Sequence, residues 1–123
     1  MRAAWTTIIT TVDGGSRFGA GSGDMHLADF APPAPPLRVS DPEVATGVRY
    51  LGAPAGWDSD FHPAPARQFV VMLRGSVRSG TTDGDTRTFG PGDVVLLEDT
   101  SGRGHRTTIL GDEPWLAMVV ALG

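Results

Sequence analysis

The sequence predicts an all-β fold, a single small barrel or sandwich, and three observations carry that reading. The 123 residues include 17 Gly and 10 Pro, the punctuation of many short elements joined by turns. Runs rich in β-branched and apolar residues recur at near-regular spacing, each bounded by Gly, Pro or Asp. No stretch places apolar residues at helical spacing. The length suits one domain over 1–123 with a real core and is too short for two ordinary ones.

Each element follows from its residues. AAWTTIITTV, 3–12, is β-branched and reads as a strand. DGGSRFGAGSGD, 13–24, reads as a turn and loop because glycine dominates it. FAPPAPPLRV, 30–39, carries four prolines, which have no N–H to give a sheet. The segment at about 28–40 is therefore expected as an extended arm over the surface, with Phe30, Leu37 and Val39 as anchors. GVRYLGAP, 47–54, is a strand, and RQFVVMLRGSVRSG, 67–80, is a long strand that turns or bends at Gly75. DGDTRTF, 83–89, opens on an Asp-Gly turn and continues as a strand. GPGDVVLLED, 90–99, feeds a turn into a buried strand, and GHRTTIL, 104–110, is another. GDEP, 111–114, turns the chain into WLAMVVAL, 115–122, the last strand.

Composition removes several function classes. The net charge is −4, there is no Lys and the ten Arg are scattered, so no basic patch is available for nucleic acid. Cysteine is absent, which excludes disulfides, thiolate nucleophiles and thiolate metal sites. The opening MRAAWTTIITTVDGG lacks the continuous apolar centre of a signal peptide. No run approaches the ~18 apolar residues of a membrane span, so a soluble cytoplasmic protein is expected. GPGD at 90–93 lacks the Lys-Ser/Thr of a phosphate loop.

The chemistry concentrates in GWDSDFHPAPARQFVVMLRG, 56–75, and around His105. Residues two apart on a strand share a face. Asp60, His62 and Ala64 are therefore expected to project together, and Gln68, Val70 and Met72 continue that row. His105, Thr107 and Ile109 form a second row. Neighbouring strands would bring His62, Gln68 and His105 to one interior point, with Trp57 as a pocket wall and Val70 and Met72 as an apolar floor. Arg67 and Arg106 have the opposite parity and should point away, pairing with Glu98 or Asp99. His26 has no ligand-spaced partner and reads as a surface or structural residue. Trp5 and Trp115 read as core or interface.

These residues resemble the cupins, small β-barrels of jelly-roll type. The first cupin motif is written G(X)5HXH(X)3-4E(X)6G, and Gly56, His62, Gln68 and Gly75 match its frame without a gap. Ala64 stands where the second His belongs and Gln68 where the Glu belongs. Gly92, Gly102 and His105 fit the second motif, G(X)5PXG(X)2H(X)3N, with two extra residues between the glycines. Thr100 replaces its proline and Ile109 its asparagine.

The resemblance implies a small single-domain cupin β-barrel. It implies either one divalent metal (Mn, Fe, Zn or Ni) on His62, Gln68 and His105, or no metal and an acid–base site made by the same three residues. Asp60, facing inward, would add a fourth ligand. The expected activity is non-oxidative lyase, isomerase or cyclase chemistry on a small, largely apolar carbonyl or hydroxyl compound. A metal-dependent dioxygenase and a non-catalytic small-molecule-binding module are the alternatives. Because open barrels have edges to cover, a homodimer is expected, with the arm crossing to its partner.

Overall fold

The computed structural model describes all of residues 1–123. Eleven strands make the fold: β1 (Arg2–Thr10), β2 (Ser16–Asp24), β3 (His26–Ala28), β4 (Leu37–Val39), β5 (Ala45–Ala53), β6 (Gln68–Arg74), β7 (Ser76–Gly80), β8 (Thr86–Phe89), β9 (Val94–Glu98), β10 (Arg106–Leu110) and β11 (Trp115–Leu122). They form a six-stranded sheet in the order β2-β1-β9-β6-β11-β5, a three-stranded sheet β10-β7-β8, and the separate hairpin β3-β4. No helix is long and apolar enough to cross a membrane.

Strand parity builds the core. Ile8, Phe18, Val70, Met72, Val95, Leu97, Trp115, Ala117 and Val119 face inward from the large sheet, and Val77, Phe89 and Ile109 meet them from the small one. The long strand predicted over 67–80 bends at Gly75 and passes from the first sheet to the second there. Gly75 has φ of +80°, and a Cβ on it would sit 2.7 Å from the Pro114 carbonyl oxygen, so only glycine fits that corner.

Two expectations are corrected. The segment 13–24, expected as turn and loop, contains β2, paired with β1 over nine positions from Arg2↔Asp24 to Thr10↔Ser16. Its glycines are a packing device: a Cβ on Gly21 would collide with the Trp5 indole, and one on Gly23 would touch it. The proline-rich arm is a hairpin, with His26↔Val39 and Ala28↔Leu37 paired. Of its expected anchors, Phe30 and Leu37 stay open to solvent, 69% and 49% exposed, and Val39 is half-buried.

Three exposed Asp side chains tie down loops. Asp13 accepts from Thr11 and from the Gly15 amide, Asp83 from Thr81, and Asp58 from Thr108 Oγ1 (2.6 Å) and Arg106 (3.1 Å). These hydrogen bonds, that to the threonine first in each case, hold all three below the ordinary Asp value of 3.8. A lowered folded pKa stabilises above 3.8, and the contribution is lost as pH falls through the folded value. Solvent screening keeps each contribution small. The expected outcome is a melting temperature that is level at neutral pH and falls below about pH 4. Asp58→Asn should flatten part of that fall, as read by thermal melts at stepped pH.

Candidate functional site

The segment 57–64 has no regular strand of its own, yet it is fixed beside β10. Ser59 donates to the Thr107 carbonyl (2.9 Å) and Ile109 to the Trp57 carbonyl (2.8 Å). His62 and His105 then exchange both backbone hydrogen bonds, at 3.0 and 3.1 Å. That pair depends on Gly104: its φ is +74°, and a Cβ there would run into the His62 carbonyl group. Gly102, φ +71°, likewise packs against the Gly14 carbonyl, which accepts from the Arg103 amide. The glycines before His105 therefore let two backbones approach closely.

The bridging pairs are Asp58↔Thr108 and His62↔His105. The first segment takes one more step between them than β10 does. This extra residue is a bulge, and it breaks the alternation of side chains. Asp60, expected to share the inward row, is exposed, and its Oδ1 accepts from the neighbouring Phe61 amide at 2.8 Å. It lies outside the pocket.

The other expected residues meet around one cavity of about 170 Å³. His62, Gln68, His105, Trp57, Val70, Met72 and Thr107 all line it, and Leu51, Ala64, Ser79, Leu97 and Trp115 complete most of the wall. No Asp, Glu or Arg side chain lines it. Arg67 turns away to Glu98 at 3.0 Å, as parity required. Arg106 also turns away, but it pairs with Asp58 and not with Glu98 or Asp99.

Asp99 is the residue beside the candidate site that sequence reasoning did not place there. It is fully buried, and its Oδ2 lies 2.6 Å from His105 Nδ1. His105 itself is 5% exposed. With the Asp99 carboxylate as acceptor, His105 Nδ1 is the donor of this hydrogen bond, and in the neutral imidazole that tautomer leaves the lone pair on Nε2. Asp99 Oδ1 has no hydrogen-bond partner, an expensive arrangement in a core. The His62 ring lies 5.0 Å from the His105 ring, centroid to centroid, tilted by 54°. His62 Nδ1 sits 3.2 Å from the Pro63 carbonyl, to which it can donate. Unlike His105, His62 is exposed.

The donor set offers a divalent metal two imidazoles and one amide, with no carboxylate on the cavity wall. No three His, Asp or Glu side chains come together in a metal-holding arrangement. Ala64 offers a methyl group, Gln68 a neutral amide, and Asp99 is engaged by His105. Two imidazoles and a neutral amide carry no charge to balance a divalent ion. Untagged protein incubated with Mn, Fe, Ni or Zn and then desalted is expected to retain far less than stoichiometric metal by elemental mass spectrometry. The double variant Ala64→His/Gln68→Glu should gain it. A wild-type chain that holds near-stoichiometric metal would overturn this reading. Gly104→Ala should lose about 1–2 kcal/mol from the left-handed backbone alone, and more from the collision. Its melting temperature should therefore fall by several degrees.

No family model matches the chain, and no curated protein is similar to it. Solved structures are. DMSP lyase DddQ from Ruegeria pomeroyi DSS-3 aligns with a TM-score of 0.53 and 24% identity over 81% of this chain and 47% of its own. The chain therefore spans about half the length of DddQ. The Cnp3 cupin domain of Schizosaccharomyces pombe aligns with a TM-score of 0.52 and 10% identity over 99% of this chain and 84% of its own. The all-β topology, the paired histidine segments and these likenesses together give the chain the fold of a small cupin barrel.

Proposed function

We propose that this chain is an enzyme of the non-oxidative lyase, isomerase or cyclase kind, acting by acid–base catalysis from its two imidazoles. The observation that supports it best is the buried Asp99–His105 pair beside His62 at an otherwise apolar cavity. The substrate is a small, uncharged, largely apolar compound bearing a carbonyl or hydroxyl. An apolar cavity of ~150 Å³ takes a molecule the size of benzene, and a wall without Asp, Glu or Arg leaves only the two imidazoles to meet a charge. The likeness to DddQ carries the fold alone, and cupin-type barrels host unrelated chemistries.

The mechanism assigns each group from its surroundings. His105, oriented by Asp99, is the general base: its Nε2 takes a proton from the carbon next to a carbonyl. The electron pair moves onto the carbonyl oxygen. Gln68 is a buried amide of the same wall, and its N–H groups hold that oxygen. His62 delivers the proton to it. In an isomerisation His105 returns the proton to a different carbon while His62 takes back the enol proton. In an elimination His105 gives its proton to the departing group while His62 takes back the enol proton and the carbonyl re-forms. His62 is exposed, and both imidazoles exchange their protons with solvent when the cavity is empty. The apolar wall raises the value of each hydrogen bond to developing charge.

The test begins with a set of small ketones and hydroxy compounds, screened for ligands that raise the melting temperature. Ligands are then assayed by NMR for exchange of carbon-bound hydrogen with D2O. His62→Ala and Asp99→Asn are each expected to slow exchange by roughly 10²- to 10⁴-fold, with His62→Ala melting close to wild type. Ligand binding that neither variant weakens, with no exchange in the wild type, would show a binding module and end the enzymatic reading.

A further inference from the structure

The small-sheet wall of the cavity carries two hydroxyls that the chemistry described so far does not use. Ser79 and Thr107 are directly paired across β7 and β10, and both line the cavity. The next inward pair of the same strands, Val77 and Ile109, is wholly apolar and buried. Ser79 is itself only 7% exposed. Three side-chain polar atoms are sealed in the core without a hydrogen-bond partner, and Ser79 Oγ is not one of them. It bonds to no other residue either, so it opens onto the cavity. Thr107 gives its amide hydrogen to Ser59 Oγ (3.1 Å) and its carbonyl accepts from the Ser59 amide (2.9 Å), while its own hydroxyl stays free. Arg87 is paired with Ser79 on the other side, but its guanidinium lies over the Phe18 ring, 4.7 Å from the centroid. A hydroxyl held without a partner in an apolar wall costs more than an alanine in the same place. A ligand that bonds to it removes that cost.

We propose that Ser79 and Thr107 hold a hydroxyl group of the substrate, so that the substrate is a hydroxy ketone or hydroxy aldehyde and not a simple carbonyl compound. The proposal rests on the catalytic reading of this cavity and narrows its substrate class. A hydroxyl both donates and accepts. Ser and Thr side by side can therefore give one hydrogen bond to an incoming hydroxyl and take one from it. A second carbonyl would use only their donors. Gln68, which holds the carbonyl oxygen, stands across the barrel on β6. Thr107 follows the base His105 by two extended residues, about 7 Å along the chain. The cavity of about 170 Å³ keeps a ligand close to all three. That spacing suits a hydroxyl on the carbon next to the carbonyl. A site built to bond a hydroxyl rejects the analogue that lacks it, because its own buried polar groups are then left without partners. Ser79 and Thr107 are specificity residues in that sense.

The test compares α-hydroxycyclohexanone with α-methylcyclohexanone, which differ by OH for CH3 on a ring little larger than benzene, the size such a cavity takes. Binding of each is read from the rise in melting temperature with ligand concentration. The wild type is expected to bind the hydroxy ketone roughly 10-fold more tightly than the methyl ketone. Ser79→Ala and Thr107→Val should each weaken the hydroxy ketone by roughly 3- to 10-fold, with the methyl ketone bound equally well or better. The double variant should lose or invert the preference. If it fails to fold, the single variants decide. A wild type without the preference, a preference that the variants do not move, or variants that weaken both ketones alike overturns the inference. So does a wild type that binds neither. Exchange of carbon-bound hydrogen with D2O, followed on the same samples, separates this inference from the catalytic reading. Exchange without a hydroxyl preference removes the hydroxyl site alone, and a preference without exchange removes the enzymatic reading alone.

Discussion

The closure of the 57–64 segment onto β10 is the constraint on which the pocket depends. Two backbone hydrogen bonds between His62 and His105 set the distance between the imidazoles. They form only because residue 104 has no side chain to stand between the two backbones. The same segment carries Trp57 to the rim and Ala64 into the wall. Ala64 in turn donates its amide to the Asp99 carbonyl at 3.0 Å, which ties the segment to the end of β9 and to the residue that orients His105. One strand-like contact thus places both imidazoles, the carboxylate behind one of them and part of the apolar wall.

Much of the fold was legible because its strands alternate. The β-branched run of β1, the apolar runs of β6, β9 and β11, and the bend at Gly75 all follow from local sequence. What escaped was β2. Its glycines look like loop residues until their neighbour is known: they make room for Trp5, sixteen residues earlier than Gly21 and across the ladder. A packing reason of that kind is tertiary, and no window of sequence contains it. The proline-rich stretch was read correctly as unable to join a central strand. Its residues pair locally as a hairpin, and its apolar side chains do not lie down on the barrel.

The site was legible to the degree that parity held. Gln68, Val70 and Met72 share an inward face of β6, and all three reach the cavity. Parity failed at Asp60, because the extra residue between the two bridges rotates the chain there. It also hid Asp99. An acid at the end of VVLLED looks like a strand end meeting solvent and an Arg. Asp99 in fact meets His105, and the Arg residues found Glu98 and Asp58 instead. The signal that was available is the apolar run itself: a strand buried along VVLLE can carry its next residue into the interior, and a carboxylate there requires a polar partner.

The two faces of the large sheet divide the chain's roles, and β5 belongs to both. Leu51 points inward and lines the cavity, while Val48 and Tyr50 point outward at the free edge. β5 is held from one side alone, by β11, and is exposed along nearly its whole length. An edge strand with so little cover opens more readily than the central strands. Leu51 therefore belongs to the least restrained wall of the cavity, whereas Gln68, Val70 and Met72 stand on β6, which is paired on both sides. Adjacent residues of one strand move together, so any motion of the β5 edge reaches the cavity through Leu51.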